Sequence, residues 1–187
     1  MSVSQIKKEI LQALLLETKP KKAAYIAKNI GKEFPSVQMH LIGLTRIGYT
    51  ESPQKGYYTI SPVGKIVLGL AKLSKENAQQ ILSQTSPEKA FHFYAGIGKP
   101  LNIFAHSLLE FKDKINMVDS HSLAFHLNRG DFEAWFRSLG DLELAMKMGL
   151  LRKRSNQEEV LPLQIREIME DRCRELYKTA DRTEHIM

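Results

Sequence analysis

The sequence predicts a mostly α protein of the α+β class: a small helical domain carrying a β-hairpin, then a helical domain with one short strand or hairpin. Three observations lead there. Apolar residues recur at spacings of three and four, as at Val37, Leu41 and Leu44, which puts them on one helical face. The β-like runs are few and short: Tyr49–Ser52, Tyr57–Ser61 and the aromatic run Phe91–Tyr94. Charge divides the chain unequally: residues 1–75 hold 12 Lys and Arg against 4 acidic residues, and residues 76–187 hold 15 against 17. A basic first part joined to a near-neutral second part fits a nucleic-acid-facing module followed by a sensing or partner domain.

The elements follow in order. A first helix is expected from Ser4, its N-cap, to Glu17, with Ile6, Ile10, Leu11 and Leu14 as its stripe. Thr18-Lys19-Pro20 breaks it. A second helix spans Lys21 to Ile30, and its small residues Ala23, Ala24 and Ala27 let a neighbour approach closely. Gly31 suits the position after its end. A third helix starts near Pro35 and stops at Gly48, with Val37, Leu41, Leu44 and Ile47 facing inward. Pro53–Gly56 supply turn chemistry between two strands, and alternation puts Tyr57 and Tyr58 on opposite faces. Ser61 as N-cap and Pro62 open a fourth helix to Leu73, with Ile66, Val67, Leu70 and Leu73 as its stripe. Residues 74–88 are polar with few anchors and read as a linker, so the domains are 1–73 and 89–187.

In the second domain, Phe91–Tyr94 reads as a strand and Gly96-Ile97-Gly98-Lys99-Pro100 as a turn. Helices are expected from Ser107 to Met117 and from Asp119 or Ser120 to Leu127. Another starts with Asp131 as N-cap and carries Phe132, Trp135 and Phe136. Asp141 caps a further helix, closed by Gly149. A polar, basic segment, Arg152 to Glu159, precedes a last helix from about Pro162, with Leu161, Ile165, Ile168 and Leu176 near one stripe and a frayed end from Thr179.

Composition bounds the function. One cysteine, Cys173, excludes an internal disulfide and a multi-cysteine zinc site. No apolar run approaches the roughly twenty residues that cross a bilayer, and Lys7-Lys8 precede no apolar segment with a cleavage site. A cytoplasmic protein without membrane association is expected.

Residues 1–73 resemble a winged helix-turn-helix domain of prokaryotic transcription regulators. The likeness lies in AAYIAKNIG, in Val37, Leu41, Leu44 and Gly48 at V-x-x-x-L-x-x-L-x-x-x-G, and in Gly56, Tyr58, Ile60, Ser61 and Gly64 at G-x-Y-x-I-S-x-x-G. It implies duplex DNA binding through the third helix, as a homodimer. An α-helix fits the major groove. Gln38 can then pair with adenine, Arg46 can reach guanine or phosphate, and Ser36 and Thr45 can contact phosphates. With His40 on the same helix, Lys21 and Lys32 beside it, and Gln54 and Lys55 at the hairpin tip, these form the expected DNA-binding set. FHFYAGIGKP, SLLEF and FHLNRGDFEAWF resemble an uncharacterised domain family of archaea and bacteria over Phe91 to Leu150, which implies no activity.

Two further groups carry possible chemistry. Gly96–Pro100 fits neither phosphate-loop spacing, but Tyr94, Lys99, His126 and Arg129 could line a small-ligand pocket. His121, His126, Arg129, Asp131 and Glu133 suggest metal chemistry. Five residues on a helix separate the two histidines by about 140°, however, the wrong geometry for one ion. No metal, cofactor or catalytic residue is expected. Two other readings remain: a winged-helix module that holds a protein partner without DNA, and a nucleic-acid-associated, metal-dependent enzyme.

Overall fold

The computed structural model describes residues 3–154 and 160–181. The chain is mostly helical with two small antiparallel sheets, an α+β arrangement. It forms two compact units, Met1–Lys72 and Leu73–Met187. Among the described residues, no helix is long and apolar enough to cross a membrane.

The first unit runs α1 (Gln5–Leu15), β1 (Lys21–Lys22), α2 (Ala23–Ile30), α3 (Phe34–Arg46), β2 (Thr50–Gln54), β3 (Tyr57–Ile60) and α4 (Pro62–Val67). Its core joins Ile10, Leu11 and Leu14 of α1, Ala23, Ile26 and Ala27 of α2, and Val37, Leu41 and Leu44 of α3 to Tyr58 of β3. The three strands lie in the order β1-β3-β2. Strand β1 replaces the start expected for the second helix: Lys21 and Lys22 follow Pro20 in extended form and pair with Tyr58 and Tyr57. Pro53 lies within β2 and not in the turn. It is tolerated because β2 is an edge strand, and the register shifts between Glu51 and Gln54.

Two expected core positions are corrected. Ile47 is 51% exposed, because the backbone leaves the helical region there (φ −91°, ψ 5°) and carries the side chain off the buried stripe. Helix α4 ends at Val67 and not at Leu73, and Ile66, within it, is 51% exposed. Gly69, at φ +88°, turns the chain back. Gly69 N–H then donates to the Ile66 carbonyl and Leu70 N–H to that of Lys65, which tucks Leu70 into the interior.

The start of α4 is clamped onto the chain after α3. Ser61 N–H donates to the Tyr49 carbonyl (3.1 Å), the Ser61 hydroxyl donates to the Gly48 carbonyl, and it accepts from Gly64 N–H (3.0 Å). The approach is close enough that a Cβ on Gly64 would lie 2.1 Å from the Tyr49 carbonyl oxygen.

The second unit runs α5 (Lys75–Leu82), a 3-10 turn (Pro87–Lys89), β4 (Phe91–Gly96), β5 (Lys99–Ala105), α6 (Leu108–Lys114), α7 (Ser120–Arg129), α8 (Asp131–Ser138), α9 (Leu142–Arg154) and α10 (Leu161–Ala180). The stretch expected as a linker therefore contains α5. Ser74 caps it, and Ala78 and Ile81 are buried on a face that meets α10. Strand β5 pairs with β4 beyond the Ile97-Gly98 turn, and Pro100 fits because each strand of a two-stranded sheet is an edge. Gly149 does not end α9. It sits mid-helix, where an added Cβ would lie 2.8 Å from Glu133 Oε2. Of the segment expected over Arg152 to Glu159, Arg152–Arg154 continue α9 and residues 155–159 lie outside the described residues. Thr179 and Ala180 belong to α10, and residues 182–187 also lie outside.

Phe91, Phe93, Phe111, Phe132, Trp135 and Phe136 form the aromatic centre, with both edge-to-face and stacked pairs: Phe91 and Phe93 lie 4.9 Å apart at 70°, and Phe111 and Trp135 lie 5.2 Å apart at 29°. Beside it lies a buried charge network. Arg172 of α10 grips both carboxylate oxygens of Asp141 (2.8 and 2.9 Å) and reaches Glu143 (3.2 Å) and Glu175 (2.6 Å). Lys147 pairs with Glu143 at 3.2 Å. Burial opposes the Arg172 charge, but Asp141 and Glu143 outweigh it and hold the guanidinium protonated, its pKa above the ordinary value. Asp141 also caps α9 by accepting from Leu144 N–H (2.9 Å).

Gly64→Ala should destabilise the protein by at least about 2 kcal/mol, since backbone must yield to the new methyl. Gly43→Ala, at a helical site with open space, should stabilise it by about 0.5–1 kcal/mol. Thermal melts followed by circular dichroism separate the two signs. Arg172→Met leaves buried carboxylates uncompensated and should cost about 3–5 kcal/mol in urea unfolding, read from the fluorescence of Trp135.

Candidate functional site

The first candidate surface is the outer face of α3. A helix turns about 100° per residue, so with Val37, Leu41 and Leu44 inward, Gln38, Met39, Ile42 and Arg46 are left exposed. Ser36 and His40 are half-buried at its margin. Lys32, just before α3, is exposed, as are Gln54 and Lys55 at the end of the β2–β3 hairpin. The face is mixed: Met39 is 64% exposed and Ile42 49%.

Two members of the expected set are otherwise engaged. The Thr45 hydroxyl donates to the Leu41 carbonyl (2.9 Å) and lies 2.9 Å from the Thr50 hydroxyl. It braces α3 against β2 and is not left for a phosphate. Lys21 pairs with Glu17 at 3.3 Å and stands over the Tyr25 ring at 4.8 Å. Its charge is held within the unit.

The second candidate site lies in the second unit, against Tyr94. Helix α7 holds both backbone groups of that residue: His126 Nε2 accepts from Tyr94 N–H (2.8 Å), and the Ser122 hydroxyl donates to the Tyr94 carbonyl (2.8 Å). Positions i and i+4 of a helix lie one above the other. Serine and histidine at that spacing therefore match the donor and acceptor of one extended residue. The β4–β5 register shifts on both sides of Tyr94.

The partners fix the His126 tautomer. Tyr94 N–H can only donate, so Nε2 carries no proton; Nδ1 then donates to Asp131 Oδ2 at 2.8 Å. Burial is the main reason the His126 pKa lies below its ordinary 6.5; Asp131 opposes the shift and Arg129 adds to it. Asp131 is not the N-cap of α8, as expected. Gly130 occupies that position, and Asp131, the first helical residue, aims its carboxylate back at His126 and at Arg129 Nε (3.3 Å).

The suggested metal cluster thus divides. His126, Asp131 and Arg129 stand together, Glu133 turns to Arg152 Nε (2.8 Å), and His121 is exposed. Among the described residues, no group of three or more His, Cys, Asp and Glu could hold a metal ion. Cys173 is buried, and burial pushes its thiol up to about 11, so it stays protonated at neutral pH.

A pocket of about 410 Å³ opens beside this group, lined chiefly by Phe91, Tyr94, Ile97, Phe125, His126 and Arg129. Of the expected ligand set, Tyr94, His126 and Arg129 line this one pocket. Lys99 does not line the pocket; it is exposed at the start of β5, past the turn. Sequence reasoning missed Ser122 and Phe125. The S-x-x-x-H spacing on α7 is the signal that could have found Ser122.

Comparison with models of known families, with curated proteins and with solved structures finds no match.

The lowered histidine pKa sets a sign for pH. Below about 6.5 the unfolded chain takes up a proton on His126 that the folded chain resists. Stability from this group is full above that pH and is lost as pH falls toward the lower folded value. Urea midpoints between pH 7.5 and 5.5 should fall, and His126→Gln, whose carbonyl can accept from Tyr94 N–H, should flatten that part of the slope.

Proposed function

We propose that the first unit is a winged-helix domain that binds duplex DNA, with α3 as the recognition helix and the β2–β3 hairpin as the wing. On this reading the chain is a transcription regulator, working as a homodimer, and its second unit senses a ligand or holds a partner. The observation that carries the reading is the exposed α3 face set in a basic unit. Residues 1–72 hold 11 Lys and Arg against 4 Glu, and Lys22, Lys28, Lys32, Arg46 and Lys55 are exposed. Backbone phosphates supply most of the affinity in such contacts. The element order, with four helices and the β2–β3 hairpin between α3 and α4, supports the same reading.

A second reading has its own observation. Phe34, Met39, Ile42 and Ile47 are all exposed on or beside α3. Met39 and Ile42 could meet thymine methyls, but the same side chains would also suit a protein partner.

Fluorescence anisotropy with a labelled mixed-sequence duplex tests the choice. DNA binding predicts affinity that falls steeply with salt. Arg46→Ala and Lys55→Ala should each weaken it and reduce the log–log salt slope by about 1. Lys21→Ala, already paired with Glu17, should change it less. Absence of binding at about 50 mM salt, where phosphate contacts are strong, would sink the DNA reading in favour of the protein module.

A further inference from the structure

The pocket beside His126 combines an apolar, ring-lined interior with one charged group whose capacity is only partly used. Phe91, Tyr94 and Phe125 contribute rings, and Ile97, largely exposed, stands at the hairpin end. Its volume of about 410 Å³ suits a molecule of one or two rings.

The polar groups around Arg129 are largely engaged with one another, and His92 adds a second imidazole to the lining. Both His126 nitrogens are engaged, one by Tyr94 N–H and one by Asp131. Asp131 Oδ2 is shared between Nδ1 of the neutral His126 and Arg129 Nε, so Arg129 alone offsets its charge. Arg129 is the exception. Its Nε is tied to Asp131 and its guanidinium lies 5.1 Å from the Phe125 ring centre, so the plane is held in place. The two terminal nitrogens have no partner among the described residues, and the side chain is 53% exposed. A guanidinium in that state presents a planar fork that matches a carboxylate.

Charge counting narrows the class. The Arg129–Asp131 pair is neutral as a whole, so the guanidinium's terminal N–H groups suit a monoanion better than a phosphate dianion. A cationic ligand would meet Arg129 while Asp131 is already balanced. Aromatic walls favour a flat ring over a flexible chain.

We infer that this pocket binds a small aromatic carboxylate, the ring among Phe91, Tyr94 and Phe125 and the carboxylate on Arg129. The inference deepens the sensing reading of the second unit and rests on that reading, but not on DNA binding.

The test titrates the full chain, without DNA, with 2-naphthoate and with its uncharged counterpart 2-naphthamide. Calorimetry gives the affinity, and amide chemical shifts of Gly96, Gly98, Phe125 and Arg129 locate the site. The expected result is saturable 1:1 binding of naphthoate with shifts at those amides, and binding of the amide weaker by about ten-fold or more. Arg129→Gln should bring naphthoate down to the level of naphthamide and leave naphthamide unchanged; because this side chain is half in solvent, the variant should fold. No shift at those amides with millimolar naphthoate would overturn the site. Equal affinity for acid and amide, or naphthoate binding indifferent to Arg129→Gln, would overturn the carboxylate assignment. Naphthoate that binds as expected but leaves duplex affinity unchanged would count against sensing and leave the site standing.

Discussion

The capture of Tyr94 by one turn of α7 is the constraint on which the second unit depends. A lone two-stranded hairpin is marginal in water. Here β4 departs from regular pairing with β5 around Tyr94, and Ser122 and His126 take the backbone groups there. The hairpin is thereby fastened to the helix layer, and Phe91 and Phe93 are delivered into the aromatic centre. The His126 bond requires an uncharged imidazole, since a second ring proton would face the Tyr94 N–H. Asp131 completes the arrangement by holding the other nitrogen. The pocket exists because this fastening sets the hairpin turn beside α7.

The two units hold their polar interiors differently. In the first, neutral groups suffice: the Thr45–Thr50 hydroxyl pair and the Ser61 clamp fix the strands and α4 against α3. In the second, Arg172 links α10 to the start of α9 through Asp141 and Glu143, with Lys147 on the far side of Glu143. Ion pairs of this kind gain little over a well-packed apolar core, yet removing one partner is costly. They act as a registration device: only one setting of α10 along α9 satisfies all of them.

Much of the fold was legible because it rests on local chemistry. The stripes of α1 and α3, the Asp119 and Asp141 caps, and the break at Gly130 are written in adjacent residues. What escaped depends on distant partners. Two lysines form β1 only because Tyr57 and Tyr58 lie alongside. Residues 75–82 show just Ala78 and Ile81 as anchors, enough once α10 covers them. Gly149 resembled a terminator because sequence cannot show that Glu133 crosses there. Part of the site was legible too: Tyr94, His126 and Arg129 come together as expected. Lys99 does not, since the hairpin turn carries it away, and the hydroxyl of Thr45 is spent on its own fold. Asp131 resembled a cap because the usual role of aspartate after glycine is local, whereas its partner His126 belongs to the preceding helix.

Pro53 has a consequence beyond the hairpin that holds it. It lies on the outer strand of the first sheet, next to a register shift, and the opposite border, β1, is two residues long. In the second unit β5 carries Pro100 and a left-handed Asn102, and Tyr94 of β4 is occupied by α7. Neither sheet offers a long straight border with free amides, the template on which neighbouring chains zip together. Interruptions that look like flaws in the strands thus deny a second copy a straight border to pair with.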